Sequence, residues 1–281
     1  MTAITMYETL ASLLGLPVCA IPLSFCDIKR PYLLERAGIG TDGTAMIFAI
    51  PHLVTSDVSD PTRNLSLYAV PRDYHAYVDG LKEEILPRLS TAFPNYRFAV
   101  FADHSPIAEV RAAVMAGLGV LGDNGLLLTP DYGSFVFLCE VCTDADYQTV
   151  MGVPPSDRWE IKRCERCGAC RAACPMYQEG TECLSALTQK KGVLTESEVS
   201  SLRAHGLVWG CDACQLACPH NSAMIEAGRD TSVPFFREGR ITAVTAQDIS
   251  DMSDDSFASR AFSWRGRAVI LRNLQLKEET P

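Results

Sequence analysis

The strongest constraint on this chain is one short run, Cys164-Glu-Arg-Cys167-Gly-Ala-Cys170-Arg-Ala-Ala-Cys174-Pro175. Three thiols at two-residue gaps, a fourth after three more residues, and then proline reproduce the bacterial-ferredoxin spacing. One turning loop can present the first three thiolates to a single 4Fe–4S cube, while the fourth, beyond the turn, reaches a different cube. A second set answers it: Cys183, then Cys211-Asp-Ala-Cys214-Gln-Leu-Ala-Cys218-Pro219. The expected pairing is crossed, with Cys164, Cys167, Cys170 and Cys218 on one cluster and Cys174, Cys183, Cys211 and Cys214 on the other. Zinc also uses C-x2-C pairs, but a tetrahedral structural site has no use for four crowded thiols followed by proline. Disulfides are not expected either. The first ten residues carry one charge, Glu8, and no basic start, so no secretory leader is read and a cytoplasmic location is expected.

At 281 residues, with 47% hydrophobic and 21% charged, the chain has material for one large or two modest domains with a buried core. No apolar run approaches the roughly eighteen residues of a membrane span. A net charge of −9 and a pI near 5.1 argue against a broad phosphate-tracking surface, while leaving room for a local basic patch. Four further cysteines, Cys19, Cys26, Cys139 and Cys142, sit in apolar stretches and read as buried small hydrophobes.

An amphipathic stretch, Met6, Leu10, Leu13 and Leu14, opens the chain. Short strands are predicted at 18–21, 44–50 and 97–102, the second apolar throughout and so covered on both faces. Tyr74, Tyr77, Val78, Leu81, Ile85, Leu89 and Phe93 fall on one helical face, which Pro87 should kink or restart. Ser105 and Pro106 read as N-cap and first residue of the next helix, with Glu109 in its first turn. Residues 126–129 and 134–142 read as a hairpin turned at Pro130-Asp-Tyr-Gly133. The expected organisation is α+β: an α/β domain over 1–153, a linker at Pro154-Pro155, a double-cluster domain over 156–222, and a helical tail over 223–281 with an acidic and then a basic stretch.

Other residues carry possible chemistry. The glycine-rich segment 117–125 matches G-x-G-x-x-G by letter, but a helix precedes it where a dinucleotide fold needs a strand; close backbone packing or contact with a flat cofactor is the better account. His75 in Asp73-Tyr-His75 reads as a solvated or capping histidine, or as an axial metal ligand. Asp103 closes a strand, where ligands gather, and reads as either a cap or a proton donor. Arg158, Lys162, Arg163, Arg166 and Arg171 surround the first cysteine run, where cations favour electron uptake by an anionic cluster and can also meet nucleic acid.

Several stretches together resemble the epoxyqueuosine reductase family, over roughly residues 44–221 with a trace at Arg265-Gly-Arg-Ala-Val-Ile-Leu-Arg-Asn273. They are Tyr68-Ala-x-x-Arg-Asp-Tyr-His75, Asp103-x-Ser-Pro106, Ala116-Gly-Leu-Gly119, Tyr132-Gly-Ser-Phe135, Thr143-Asp144, all eight spaced cysteines, Ser185 and Thr188 after Cys183, Gly210-Cys-Asp-x-Cys-Gln-Leu216, and Cys218-Pro-x-Asn221. The resemblance implies a nitroreductase-like α/β domain that holds cobalamin, followed by a bacterial-ferredoxin-like domain with two 4Fe–4S clusters. It implies that Tyr68, His75, Gly119 and Ser185 contact the cofactor and that Asp103 is the proton donor. It also implies a ferredoxin- or flavodoxin-type electron donor, and reduction of epoxyqueuosine to queuosine in tRNA. Leu67 stands where the family has Arg, Pro71 and Cys139 where it has Gly, and Asp123 where it has Lys; a longer helical C-terminal extension common in the family is not expected here. The lost cations favour a related reductase with another substrate, and an electron-transfer protein without a corrinoid is the third reading.

Overall fold

The computed structural model describes residues 4–177 and 182–278. The chain divides into two compact units, one of Met1–Ile50 with Tyr77–Arg166 and one of Pro51–Ala76 with Cys167–Pro281. The division falls inside the first cysteine run, and the expected linker at Pro154-Pro155 lies within the first unit.

In the first unit, helix α1 (Met6–Leu14) starts at a capping box in which Thr5 and Glu8 satisfy each other's backbone N–H, and ends at left-handed Gly15. Helix α2 spans Pro31–Ala37. Among the described residues the strands form two sheets. Strands β1 (Val18–Pro22), β2 (Thr44–Pro51), β3 (Phe98–Phe101) and β6 (Val136–Thr143) make a four-stranded sheet in the order β1-β2-β6-β3. The pairs β1–β2 and β3–β6 are antiparallel. Every residue of β2 is buried, as its unbroken apolar run requires. Strands β4 (Val120–Leu121) and β5 (Leu127–Leu128) form a separate antiparallel pair.

That pairing corrects the expected hairpin. Residues 127–128 turn back on 120–121, and only the bridge Thr129–Gly133 joins the turn to its other side, leaving β6 to enter the main sheet. Both segments are apolar enough for either partner, so local pattern did not select between them. Helix α3 (Tyr74–Ala92) runs on past Pro87, which is solvent-exposed, so water can serve the carbonyl that the missing N–H leaves. Helix α4 (Glu109–Met115) starts three residues later than Ser105-Pro106 suggested. Its N-cap is Ala108 with no side-chain cap, because the Ser105 hydroxyl is engaged elsewhere. Helix α4 packs on β6 and β1, and α5 (Tyr147–Met151) packs on α1 and β1.

The second unit is helical. It contains α6 (Ala169–Ala172), α7 (Leu184–Thr188), α8 (Glu196–Ala204), α9 (Ala213–Leu216), α10 (Pro219–Glu226), α11 (Ala246–Asp251), α12 (Asp254–Ala258) and α13 (Arg267–Glu278). The expected tail is core: Val244, Ile249, Phe257, Phe262, Val269, Ile270 and Leu274 pack around Trp209 together with Leu65, Ala69 and Val70. Two of its arginines are structural too. Arg260 is buried and donates to the carbonyls of Gly239 (2.7 Å) and Val70 (3.3 Å), and Arg272 donates to that of Lys190 (2.7 Å). Residues 279–281 lie outside the described residues. Among the described residues no helix is long and apolar enough to cross a membrane.

Candidate functional site

The cysteine loops are built by short helices. Gly168, in the left-handed region at φ 82°, turns the chain into α6, which carries Cys170. Helix α6 packs on α9, which carries Cys214, and Cys183 caps α7. Of the eight spaced cysteines, Cys167 and Cys183 are exposed and the other six half-buried. Burial, with the Asp212 carboxylate and the Cys214 and Cys183 sulfurs adding to it, pushes the Cys211 thiol up to about 11. Cys183, Cys211 and Cys214, expected on one cluster, therefore lie in one neighbourhood. Among the described residues no three Cys, His, Asp or Glu side chains close on one point as a single ion requires.

The second loop is clamped from beneath. Asp212, 2% exposed, accepts from Arg63 Nη1 (2.6 Å), from the Leu67 N–H (3.1 Å) and from the Ser66 hydroxyl. The Gly210 N–H donates to Thr188 Oγ1 (2.9 Å). Gly210 has φ +74°, and a Cβ there would stand 2.4 Å from Ser66 Cβ and 2.8 Å from Tyr68 Cε1. Tyr68 and Ser185, both expected at the cofactor, do come together: Gln189 Nε2 donates to the Tyr68 hydroxyl (3.2 Å) and to the Ser185 carbonyl (3.0 Å). His75 sits at the start of α3 with its Nδ1 2.8 Å from Asp73 Oδ1, and Asp73 also accepts the His75 backbone N–H (2.9 Å). Those bonds, against the opposing effect of burial, hold the Asp73 carboxyl below its ordinary value. A proton fixed on Nδ1 leaves Nε2 as the basic nitrogen.

Asp103, in the first unit, closes β3 in the left-handed region at φ 60°, with its side chain exposed. It does not cap α4. Its backbone N–H instead donates to Glu109 Oε1 (3.2 Å). Behind Glu109 lies Glu140 of β6, 0% exposed, which accepts the Ser105 hydroxyl. Burial pushes Glu109 up to about 7, opposed by its bonds from the Asp103 N–H and from Glu140. Burial and the Glu109 charge together hold Glu140 well above the carboxylate range.

The family departures have local explanations. Leu67 is 2% exposed in the second unit's interior, so its position is not a surface cation site. Asp123 takes an ion pair from Arg166 in the first cysteine run, at 3.5 Å. Gly119 is needed for packing, since a Cβ there would lie 2.2 Å from the Leu128 carbonyl oxygen. Cys139 and Cys142 are fully buried, and Cys19 and Cys26 pack against the first unit's core, as small hydrophobes do.

Two features went unread in the sequence. One is the acid pair, whose signal is the lone charge of Glu140 inside an apolar strand. The other is a groove of 570 Å³ in the second unit, lined by Cys183, Ser185, Lys190, Lys191, Trp264 and Arg265. Trp264 is 56% exposed, and the Arg265 guanidinium stacks 3.6 Å from its ring centre.

No protein-family model matches the chain. It is 31% identical over 201 residues to epoxyqueuosine reductase of Gloeobacter violaceus, covering 69% of this chain and 61% of that protein. It is 32% identical over 209 residues to that of Listeria monocytogenes, covering 72% of this chain and 53% of that protein. The chain thus spans little more than half the length of these relatives. Its fold is similar to the solved epoxyqueuosine reductase of Streptococcus thermophilus, with TM-score 0.73 and 21% identity, covering 96% of this chain and 79% of that one. It is also similar to an epoxyqueuosine reductase bound to an epoxyqueuosine-modified tRNA-Tyr stem loop, with TM-score 0.71, 21% identity and the same coverages.

Proposed function

The chain belongs to the epoxyqueuosine reductase family, and from that premise we propose that it reduces epoxyqueuosine to queuosine in tRNA, holding two 4Fe–4S clusters and a corrinoid. The observation that carries the reading is the donor set: eight cysteines in ferredoxin spacing, in a chain whose relatives are named for that reaction. The two folds would be the nitroreductase-like and bacterial-ferredoxin-like ones that the resemblance implies, in a cytoplasmic enzyme.

When bound, the clusters and corrinoid supply low-potential single electrons and a redox-active cobalt. Cys164, Cys167, Cys170 and Cys218 would hold one cluster, and Cys174, Cys183, Cys211 and Cys214 the other. Asp212 and Gly210 fix the loop on which Cys211 and Cys214 sit. Tyr68 and Ser185 would offer their hydroxyls to the corrinoid, Gly119 its bare backbone and His75 its Nε2. Asp103 would give a proton to the epoxide oxygen as that atom gains charge. Two electrons and two protons convert the epoxide to an alkene and water, the electrons coming from a ferredoxin- or flavodoxin-type donor. Lys191 and Arg265, which line the groove with exposed Trp264, suit a phosphate backbone and a stacked base.

The test is nucleoside analysis of tRNA from a strain lacking its own reductase. Expression of this chain should convert epoxyqueuosine to queuosine; persistence of epoxyqueuosine removes the tRNA assignment. The net charge of −9 favours a second reading, the same machinery acting on another substrate. Corrinoid binding without tRNA turnover would select it.

A further inference from the structure

Two carboxyl groups lie against each other behind Asp103, and nothing in the reaction as drawn uses them. Glu140 comes from β6 and is fully buried. One of its oxygens accepts the Ser105 hydroxyl; the other, Oε2, meets no N–H or hydroxyl donor. Within hydrogen-bonding reach stands the carboxyl of Glu109, on the first turn of α4. Two carboxylates have only acceptors to offer, so they can bond only if a proton lies between them.

The surroundings supply little to neutralise a second charge. From the segment before α4 come the Ser105 hydroxyl and Asp103, which adds negative charge. From β6 come the Cys139 and Cys142 thiols, from the segment after β1 that of Cys26, and all three are pushed up in part by Glu140. Lys82 acts on Cys139. The other elements packed on α4, namely β1, β4 and β5, carry no charged residue. Arg30 is the cation that acts on Glu109, and its Nη1 is spent on the Ser105 carbonyl at 2.9 Å.

We propose that Glu109 and Glu140 hold one proton between them, and that Glu109, through its bond to the Asp103 N–H, is a positioning residue for the acid. The positioning half rests on the reading of Asp103 as proton donor; the shared proton does not. A left-handed aspartate needs something to hold it, and a charged Glu109 accepts the Asp103 N–H more strongly than a neutral one. Glu140 keeps the proton, Glu109 keeps the charge, and the turn at Asp103 is held. The raised values of both groups agree with this division, and place the change at Glu109 near neutrality.

The test is infrared spectroscopy on the full-length protein with its clusters. At about pH 8, where exposed carboxyls are ionised, wild type should keep a protonated-carboxyl band. That band should shift on labelling with 13C-glutamate and vanish in Glu140→Gln. The labelling arm needs no variant, so it decides the shared proton even if Glu140→Gln fails to fold. A missing band, or one that does not respond to glutamate label, overturns the proposal. In turnover, Glu109→Gln should lower kcat about tenfold with KM unchanged, and should erase the ascending limb near pH 7 that wild type shows. A limb that persists in Glu109→Gln overturns the positioning role. Full activity of Asp103→Asn would overturn that role together with the acid assignment, and would leave the infrared result to judge the pair alone.

Discussion

The left-handed turn at Asp103 costs an L-residue about 1–2 kcal/mol, and the bond from its N–H to Glu109 offsets part of that. A side chain placed by strain at a strand's end is poorly replaced, so Asp103→Asn should retain brown colour and corrinoid yet lose turnover by at least about a hundredfold, measured on the modified stem loop. Glu109 sets a pH dependence whose sign follows from its raised value. A carboxyl raised from 4.5 to about 7 in the fold contributes stability that is present in acid and lost as pH rises through 7. Glu109 should account for on the order of 2–3 kcal/mol of the loss between about pH 5 and pH 8, so Glu109→Gln should show a shallower slope than wild type in denaturant unfolding, keeping only the part that comes from Glu140. Sequence placed Asp103 correctly at the close of its strand. It could not place Glu109 and Glu140 together, because they meet through packing of α4 on β6 and not through spacing.

At the scale of elements, the loop Gly210-Cys-Asp-Ala-Cys214 joins motif letters to physical causes. Glycine is required by a positive φ and by the nearness of Ser66, and aspartate by Arg63 and Ser66 beneath it. Breaking one partner of a buried pair costs about 3–5 kcal/mol, so Asp212→Ala should give protein with reduced iron and sulfide after anaerobic reconstitution. Gly210→Ala should act the same way through strain of about 1–3 kcal/mol. The thiol spacing and the fully buried strand β2 were legible because period and spacing are local properties. The expected hairpin and the Ser105 cap were not. The segment at 127–128 had two apolar partners to choose from, and the Ser105 hydroxyl was drawn to a glutamate far along the chain.

For the whole molecule, net charge alone gave a misleading picture of where cations act. Arg260 and Arg272 are tied to backbone carbonyls inside the second unit, while Lys191 and Arg265 edge the groove. Binding of the modified stem loop should therefore depend on few phosphate contacts and weaken only gently with salt, with a slope well short of the ten or so of a strongly basic nucleic-acid binder; a steep slope in a filter-binding titration would contradict this. The two-unit division was the least legible property, since residues 51–76 resemble an extension of the α/β segment by composition and declare their allegiance through bonds to residues far along the chain, Asp212, Asp230 and Val244 among them, and through the packing around Trp209.

That allegiance limits how the thiol-bearing half can be moved. Its wall is made from two stretches of polypeptide with all of 77–166 intervening, so no single cut excises it. A fragment starting at residue 156 would bring Asp212 without Arg63 or Ser66, stranding a charge in an oily interior. Such a fragment should purify colourless, and gain iron when 51–76 is supplied as a separate peptide. Grafting this electron-carrying part onto another enzyme would mean transplanting both pieces at once.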